Sequence, residues 1–204
     1  MQFGRIITST LLMGLVLKGS GALRRIDEHS QDAIGSNEKL LMQILKDNSN
    51  TEYGRKYGFA DIHSIREYQE RVPFSTYDNY APYIERMVRN GEKNLITAYP
   101  VVHYAETSGS IGVQKRIPLT ERSMNIYEDY SGVRMFALAN RYYRKTLRKK
   151  LPVGRGLNAL EVENTVMEDN TPRGSVSGSV IKQFKSIMPF FLTSPLPIIF
   201  PRAA

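Results

Sequence analysis

The spacing of apolar and polar positions divides the chain into a helical first half and a mixed second half. An apolar run at 6–17 (IITSTLLMGLVL) follows Arg5 and precedes Gly19-Ser20-Gly21-Ala22. It reads as a first helix packed on the domain. Its outline is also that of a secretory leader, and the run is too short to span a bilayer. A polar helix over 22–34 ends near Gly35. Asn37 caps a clearer helix over 37–47, with Leu40, Leu41, Ile44 and Leu45 on one face. Ser64-Ile65-Arg66-Glu67 is a capping box; its helix buries Ile65, Tyr68 and Val72 and stops at Pro73. Ser75 or Thr76 caps the next helix, which carries Tyr80, Ile84 and Met87, with Pro82 near its first turn and Asn90-Gly91 at its end. Strands are expected at 94–98, 101–105 and 114–119. Thr120 then caps a long helix to about Lys150, with Ile126, Tyr130, Val133 and Ala137 at a period near 3.6. Beyond Pro152 the pattern gives a short segment at 157–162, a turn at 171–174 and a short helix over 180–187. The apolar, proline-punctuated stretch 190–201 reads as a segment that packs against further protein.

Composition narrows the class. The 204 residues are 41% hydrophobic and 24% charged, enough apolar material for a core. Cysteine is absent, which removes disulfides, thiol catalysis and Cys-ligated metals and fits a reducing cytoplasm. His29, His63 and His103 are too widely spaced for a His-rich metal site. The net charge of +8 has one source: 134–155 holds eight basic residues and no acid. Because these lie late in the long helix and Glu121, Glu128 and Asp129 lie early, the helix dipole accounts for the placement. A phosphate-contacting patch with Tyr142 and Tyr143 stacking on bases is the competing reading. No nucleic-acid or membrane partner is expected.

The stretch with chemistry is Thr107-Ser108-Gly109-Ser110-Ile111-Gly112-Val113-Gln114-Lys115. Its glycines permit close backbone approach to a ligand, its hydroxyls add donors, and Lys115 adds a charge just beyond. Such a loop can form an anion nest for polyphosphate, or can be an ordinary hairpin turn. It matches neither G-x-x-x-x-G-K-[ST] nor G-x-G-x-x-G. His103 reads as a satisfied strand histidine. Tyr53, Tyr57, Tyr77, Tyr80 and Tyr83 read as helix-packing residues, and Asp78 and Glu85 as cap and surface groups.

The loop resembles the phosphate-loop signature of adenylate-forming enzymes, [ST]-S-G-[ST]-[ST]-G-x-x-K. The blocks NTEYGRKYGF at 50–59, VPFSTYDNY at 72–80, YIERM at 83–87, Gly91-Glu92 and Lys115-Arg116-Ile117-Pro118 resemble the auxin-responsive-promoter family of acyl-acid amido synthetases. The likeness is close over about 48–120 and looser to about 201. It implies an α/β fold: the amino-terminal part of an adenylate-forming large domain, with a helical start and then a mixed sheet with flanking helices. The domain would be single and incomplete over 1–204, mainly helical over 1–93 and mixed α/β over 94–204. It implies a ligase that activates a carboxylic acid with ATP and Mg2+ to acyl-AMP, releasing pyrophosphate, before an amine or amino acid attacks. Thr107, Ser108, Gly109, Ser110, Gly112 and Lys115 would cradle the ATP phosphates. Ile111 departs from the signature by removing a hydroxyl. Family members continue well past 204 residues, so the resemblance implies a fragment that lacks the carboxy-terminal part and is inactive alone; a non-catalytic nucleotide-binding remnant is the alternative.

Overall fold

The computed structural model describes residues 2–106, 115–128, 133–152, 154, 156, 162, 165–193 and 199. Packing separates the chain into two units. Unit 1 comprises Met1–Glu28, Arg122–Thr165 and Gly174–Ala204; unit 2 comprises His29–Glu121 and Val166–Arg173.

Unit 2 begins with α2 (Ala33–Asn48), which follows α1 (Gln2–Gln31). Asp32, not Asn37, caps α2, its carboxylate accepting the Gly35 N–H at 2.9 Å. The buried stripe is also turned from the expected face. Leu45 is buried with Leu41 and Met42 packed near it, whereas Leu40 and Ile44 are exposed. The turn places Asn48 inward. Its amide donates to the Ile44 carbonyl at 2.7 Å and accepts the Ala98 N–H at 3.0 Å.

The next helix, α3 (Glu52–Lys56), is only five residues long and owes its ends to this neighbourhood. The Thr51 hydroxyl, fully buried, donates to the Asn48 carbonyl at 2.7 Å and accepts the Gly54 N–H at 2.9 Å. Glu52 and Tyr53 donate their N–H groups to the carbonyls of Asn94 and Leu95, each at 2.8 Å. Three of the N–H groups that a helix start leaves unpaired are thereby satisfied. This explains why 94–98 is not the expected strand: its carbonyls serve α3, and Asn94 takes a left-handed φ of 57°. Gly54 is obligatory here, since a Cβ would overlap the Asn48 carbonyl.

Tyr53 stands at the centre of an aromatic cluster, with ring centroids 4.7 Å from Tyr57, 5.4 Å from Tyr80 and 5.9 Å from both Phe59 and Tyr83. Phe59 opens a single 3-10 turn (Phe59–Asp61), and α4 (Ile65–Arg71) follows with Ser64 accepting the Glu67 N–H, as its sequence predicts. The last helix of this group, α5 (Tyr77–Asn90), starts at Thr76 and ends at Gly91, whose φ is 64°. Ile84, Met87 and Val88 are its buried side. Pro82 lies at the sixth helical position rather than in the first turn, so Asp78 loses its i+4 donor; both residues are exposed, and water can replace it.

Arg86 on α5 forms a two-carboxylate clamp. Its guanidinium donates to both oxygens of Glu52 at 2.9 and 3.0 Å and to Glu92 at 2.6 to 3.2 Å. Hydrogen bonding from Arg86 is the largest influence on each carboxylate and holds both below the usual value of 4.5.

The sheet has the order β2-β1-β4-β3. Strand β1 (Val101–Glu106) pairs antiparallel with β2 (Arg116–Thr120), Glu106 facing Arg116 and Tyr104 facing Pro118. Pro118 is tolerated because β2 is an edge strand. Strands β3 (Thr165–Val166) and β4 (Pro172–Gly174) flank a tight turn in which Asn170 has a φ of 65°. The expected turn at 171–174 is thus mostly strand, the turn lying just before it.

In unit 1, α1 runs unbroken through 6–17 and most of 22–34. Thr8, Leu12, Val16, Gly19 and Ala22 form its buried stripe. By length and composition Ile6–Gln31 could cross a membrane, contrary to the reading of 6–17 alone, although core helices and leaders pass the same test. A methyl on Gly19 would overlap the Val133 carbonyl and lie 2.7 Å from Ala137 Cβ. The expected long helix is described as α6 (Glu121–Glu128) and α7 (Met135–Lys145), with 129–132, and so Tyr130, outside the described residues. Met124, Val133 and Ala137 are buried, but Ile126 is exposed. Two further helices are α8 (Val176–Gln183), capped by Ser175, and α9 (Met188–Phe191). The segment expected to await further protein has partners in unit 1. The Phe190 carbonyl accepts the Thr8 hydroxyl at 3.2 Å, Phe191 lies 5.9 Å from Phe136, and Ile199 is buried with Val162.

Two outcomes follow. Thr51→Ala should cost about 1–2 kcal/mol, read as a lower urea midpoint with unchanged m, while Thr51→Ser retains most of it. Because Glu52 and Glu92 have lowered folded-state values, their contribution is present above pH 4.5 and lost as pH falls through those values. Arg86→Met should flatten that acid limb in a pH series of urea melts.

Candidate functional site

The predicted phosphate loop lies between the paired ends of β1 and β2. Thr107, Ser108, Gly109, Ser110 and Gly112 fall outside the described residues. What is described is the stem of the loop, Glu106 on one side and Lys115 and Arg116 on the other.

The stem carries a local excess of positive charge. Glu106 ends β1, and one of its oxygens lies 3.8 Å from Arg116 Nε and 3.3 Å from Arg173 Nη1 on the neighbouring strand β4. Lys115 is exposed, and its Nζ sits 5.5 Å from the centroid of the Tyr77 ring. Two cations, Arg116 and Arg173, thus share the Glu106 carboxylate, while Lys115 stands on the Tyr77 ring. The Tyr77 hydroxyl accepts the Arg116 N–H at 3.0 Å, which fixes where β2 starts. Since Tyr77 is the first residue of α5, the hydrogen bond ties the helix start to the loop stem.

Among the residues read from sequence, Lys115 therefore stands at the stem, flanked by groups that sequence reasoning missed. Tyr77 packs beside Ile84, Val88 and Tyr104, as its reading as a packing residue expects, and it also reaches the stem. Glu106 and Arg173 are 67 positions apart, and only the β1–β4 pairing brings them together. The alternation at the end of β1 and the isolated Arg173 were the available signals. His103 is buried within β1. Glu85 forms an exposed i,i+4 pair with Arg89 at 2.6 Å, and Asp78 lies in the first turn of α5, as expected for surface and cap groups.

A cavity of about 390 Å³ lies near the other end of β1, lined by Met87, Tyr99, Val101, Tyr104 and Asp169 among others. Burial raises the Tyr104 hydroxyl above its usual value, and Asp169 adds to the effect. Among the described residues no group of three or more His, Asp or Glu could hold a metal.

Comparison with known proteins decides the family. The model of the GH3 family N-terminal domain matches residues 22–203. The chain belongs to the GH3 family. Among its relatives, indole-3-acetic acid-amido synthetase GH3.3 of Arabidopsis thaliana is 29% identical over 105 residues, 51% of this chain and 18% of that protein. The probable indole-3-acetic acid-amido synthetase GH3.7 of Oryza sativa subsp. japonica is 34% identical over 101 residues, 46% of this chain and 16% of that protein. The solved structure of GH3.15 acyl acid amido synthetase shares the fold, with a TM-score of 0.69 at 22% identity, over 87% of this chain and 30% of that one. A second structure, AtGH3.15 in complex with 2,4-DB, gives a TM-score of 0.60. The relatives of this GH3 chain are thus acyl-acid amido synthetases, and the chain spans about a fifth of the length of the curated ones. The helical start and the four-stranded sheet with flanking helices are those of the GH3 N-terminal domain.

If the stem is organised by Tyr77, Tyr77→Phe should leave the Arg116 N–H without its partner and cost about 1 kcal/mol. Hydrogen exchange should quicken at Arg116 while Tyr53 and Leu45 are unchanged.

Proposed function

We propose that this chain supplies the phosphate-binding part of an ATP-dependent acyl-acid amido synthetase. The observation that carries the reading is the charge at the loop stem, Arg116 and Arg173 beside Glu106 and Lys115 on the Tyr77 ring, in a GH3 chain. In the reaction a carboxylic acid attacks the α-phosphate of ATP, pyrophosphate leaves, and an amine or amino acid then displaces AMP to give the amide. Negative charge builds on the leaving pyrophosphate, so fixed cations and loop N–H groups placed there favour the transition state. Thr107, Ser108, Gly109, Ser110 and Gly112 would cradle the phosphates, with Lys115 beside them. Tyr77 would keep Lys115 and the start of β2 in place. Magnesium would be carried by the phosphate oxygens, neutralising part of their charge. The acid and amine sites, and completion of the catalysis, we assign to sequence of the kind that makes up the rest of the relatives' length. A cytoplasmic setting suits both ATP chemistry and a chain without cysteine.

The test is acid-dependent ATP–pyrophosphate exchange by the native product that carries this sequence. Exchange should fall at least about 100-fold in Lys115→Ala, the scale of removing one transition-state contact. Exchange unchanged in Lys115→Ala would remove Lys115 from the mechanism.

A further inference from the structure

Unit 1 carries a surface that the amido synthetase reading leaves unused. The exposed side of α1 presents Ile6, Met13 and Leu17, which are 62%, 53% and 67% exposed. Their spacing of seven and four residues puts them in one line along the helix, roughly 120° around it from the buried stripe of Thr8, Leu12 and Val16. Met13 also borders a groove of about 530 Å³. Its apolar floor is built from Leu12, Val16 and Leu151, and its rim is Arg144, Arg148, Lys149 and Lys150. All four cations are exposed, and 134–155 contains no acid to neutralise them. The end of α7 explains why they gather: Arg144 lies in its last turn, and Arg148, with a φ of 54°, turns the chain back beside α1.

We infer that this face of unit 1 docks on an anionic lipid surface. Charge complementarity selects the occupant. Lipid phosphates and carboxylates would meet the cationic rim, while Ile6, Met13 and Leu17 enter the boundary between headgroups and acyl chains. An RNA strand would satisfy the cations but leave the apolar line in water. The docking is peripheral, because α1 is committed to unit 1 along its buried stripe, through Thr8, Ala22 and the tight approach of Gly19 to Val133 and Ala137. The anionic leaflet that faces the cytoplasm provides such a surface. The inference stands independently of the nucleotide site.

The chain has no tryptophan, so Leu17→Trp introduces a single clean reporter. With phosphatidylcholine vesicles containing 30% phosphatidylserine by composition, roughly the anionic content at which polybasic segments bind, its emission should shift to shorter wavelength and the protein should sediment with the vesicles. Pure phosphatidylcholine should do neither. Lys149→Glu with Lys150→Glu should lower partitioning about tenfold or more, and Ile6→Gln with Met13→Gln should lower it while circular dichroism stays unchanged. All four positions are exposed, so folding is not at stake. Several results would overturn the inference: equal binding to neutral vesicles, salt-sensitive RNA binding without vesicle binding, or retention resistant to alkaline carbonate. Failure of the longer native product to bind vesicles would overturn it too, by showing that other protein covers this face.

Discussion

The hydrogen bonds that gather around Asn48 and Thr51 are the constraint on which unit 2 depends. One buried hydroxyl and one inward amide hold together the end of α2, the start of α3 and the segment that leads into β1. Burying polar groups is tolerable only when they are paired, and here each is. The consequence is directional. With 94–98 pinned beneath α3 and Arg86 clamped to Glu52 and Glu92, the chain enters β1 from a fixed point, and Glu106 arrives at the loop stem in register with Arg116. The motif blocks shared with the amido synthetases are therefore largely structural. Within them Thr51, Glu52, Tyr53, Gly54 and Arg86 build the frame beside Asn48, while Tyr77 and Lys115 lie at the loop stem.

That division bears on how the site works. Arg116 and Arg173 come from two strands and share a single carboxylate, Glu106, with Lys115 just before β2 on the Tyr77 ring. The Tyr77 hydroxyl adds a link from the start of α5, so the helix and the hairpin move as one piece at this point.

The local elements were the more legible part of the sequence. Ser64 with Glu67, Thr76 with Gly91, and the pairing that encloses the loop follow from caps, turns and alternation. What escaped was tertiary. Segment 94–98 has a strand's composition, but Glu52 and Tyr53 take its carbonyls. The apolar face of α2 was misplaced because Asn48, a polar residue, claims the inward direction. Pro82 is accommodated in a helix interior because the carbonyl that loses its donor belongs to Asp78, an exposed residue. In unit 1, the run at 6–17 was judged by its own length, whereas the helix continues to Gln31. At the loop stem, the hairpin that carries Lys115 is legible from alternation and turn residues, whereas the contact of Glu106 with Arg173 requires the strand order. The candidate phosphate contacts at 107–112 rest on sequence resemblance alone, since they fall outside the described residues.

The central claim is that the loop stem recognises polyphosphate through charge. The most direct measurement is an equilibrium titration of the native product with ATP, ADP, AMP and adenosine at fixed ionic strength. Affinity should rise with each added phosphate, with adenosine the weakest, and the gradient should shrink as salt increases. Affinity that is the same for adenosine and ATP, or a gradient insensitive to salt, would contradict it.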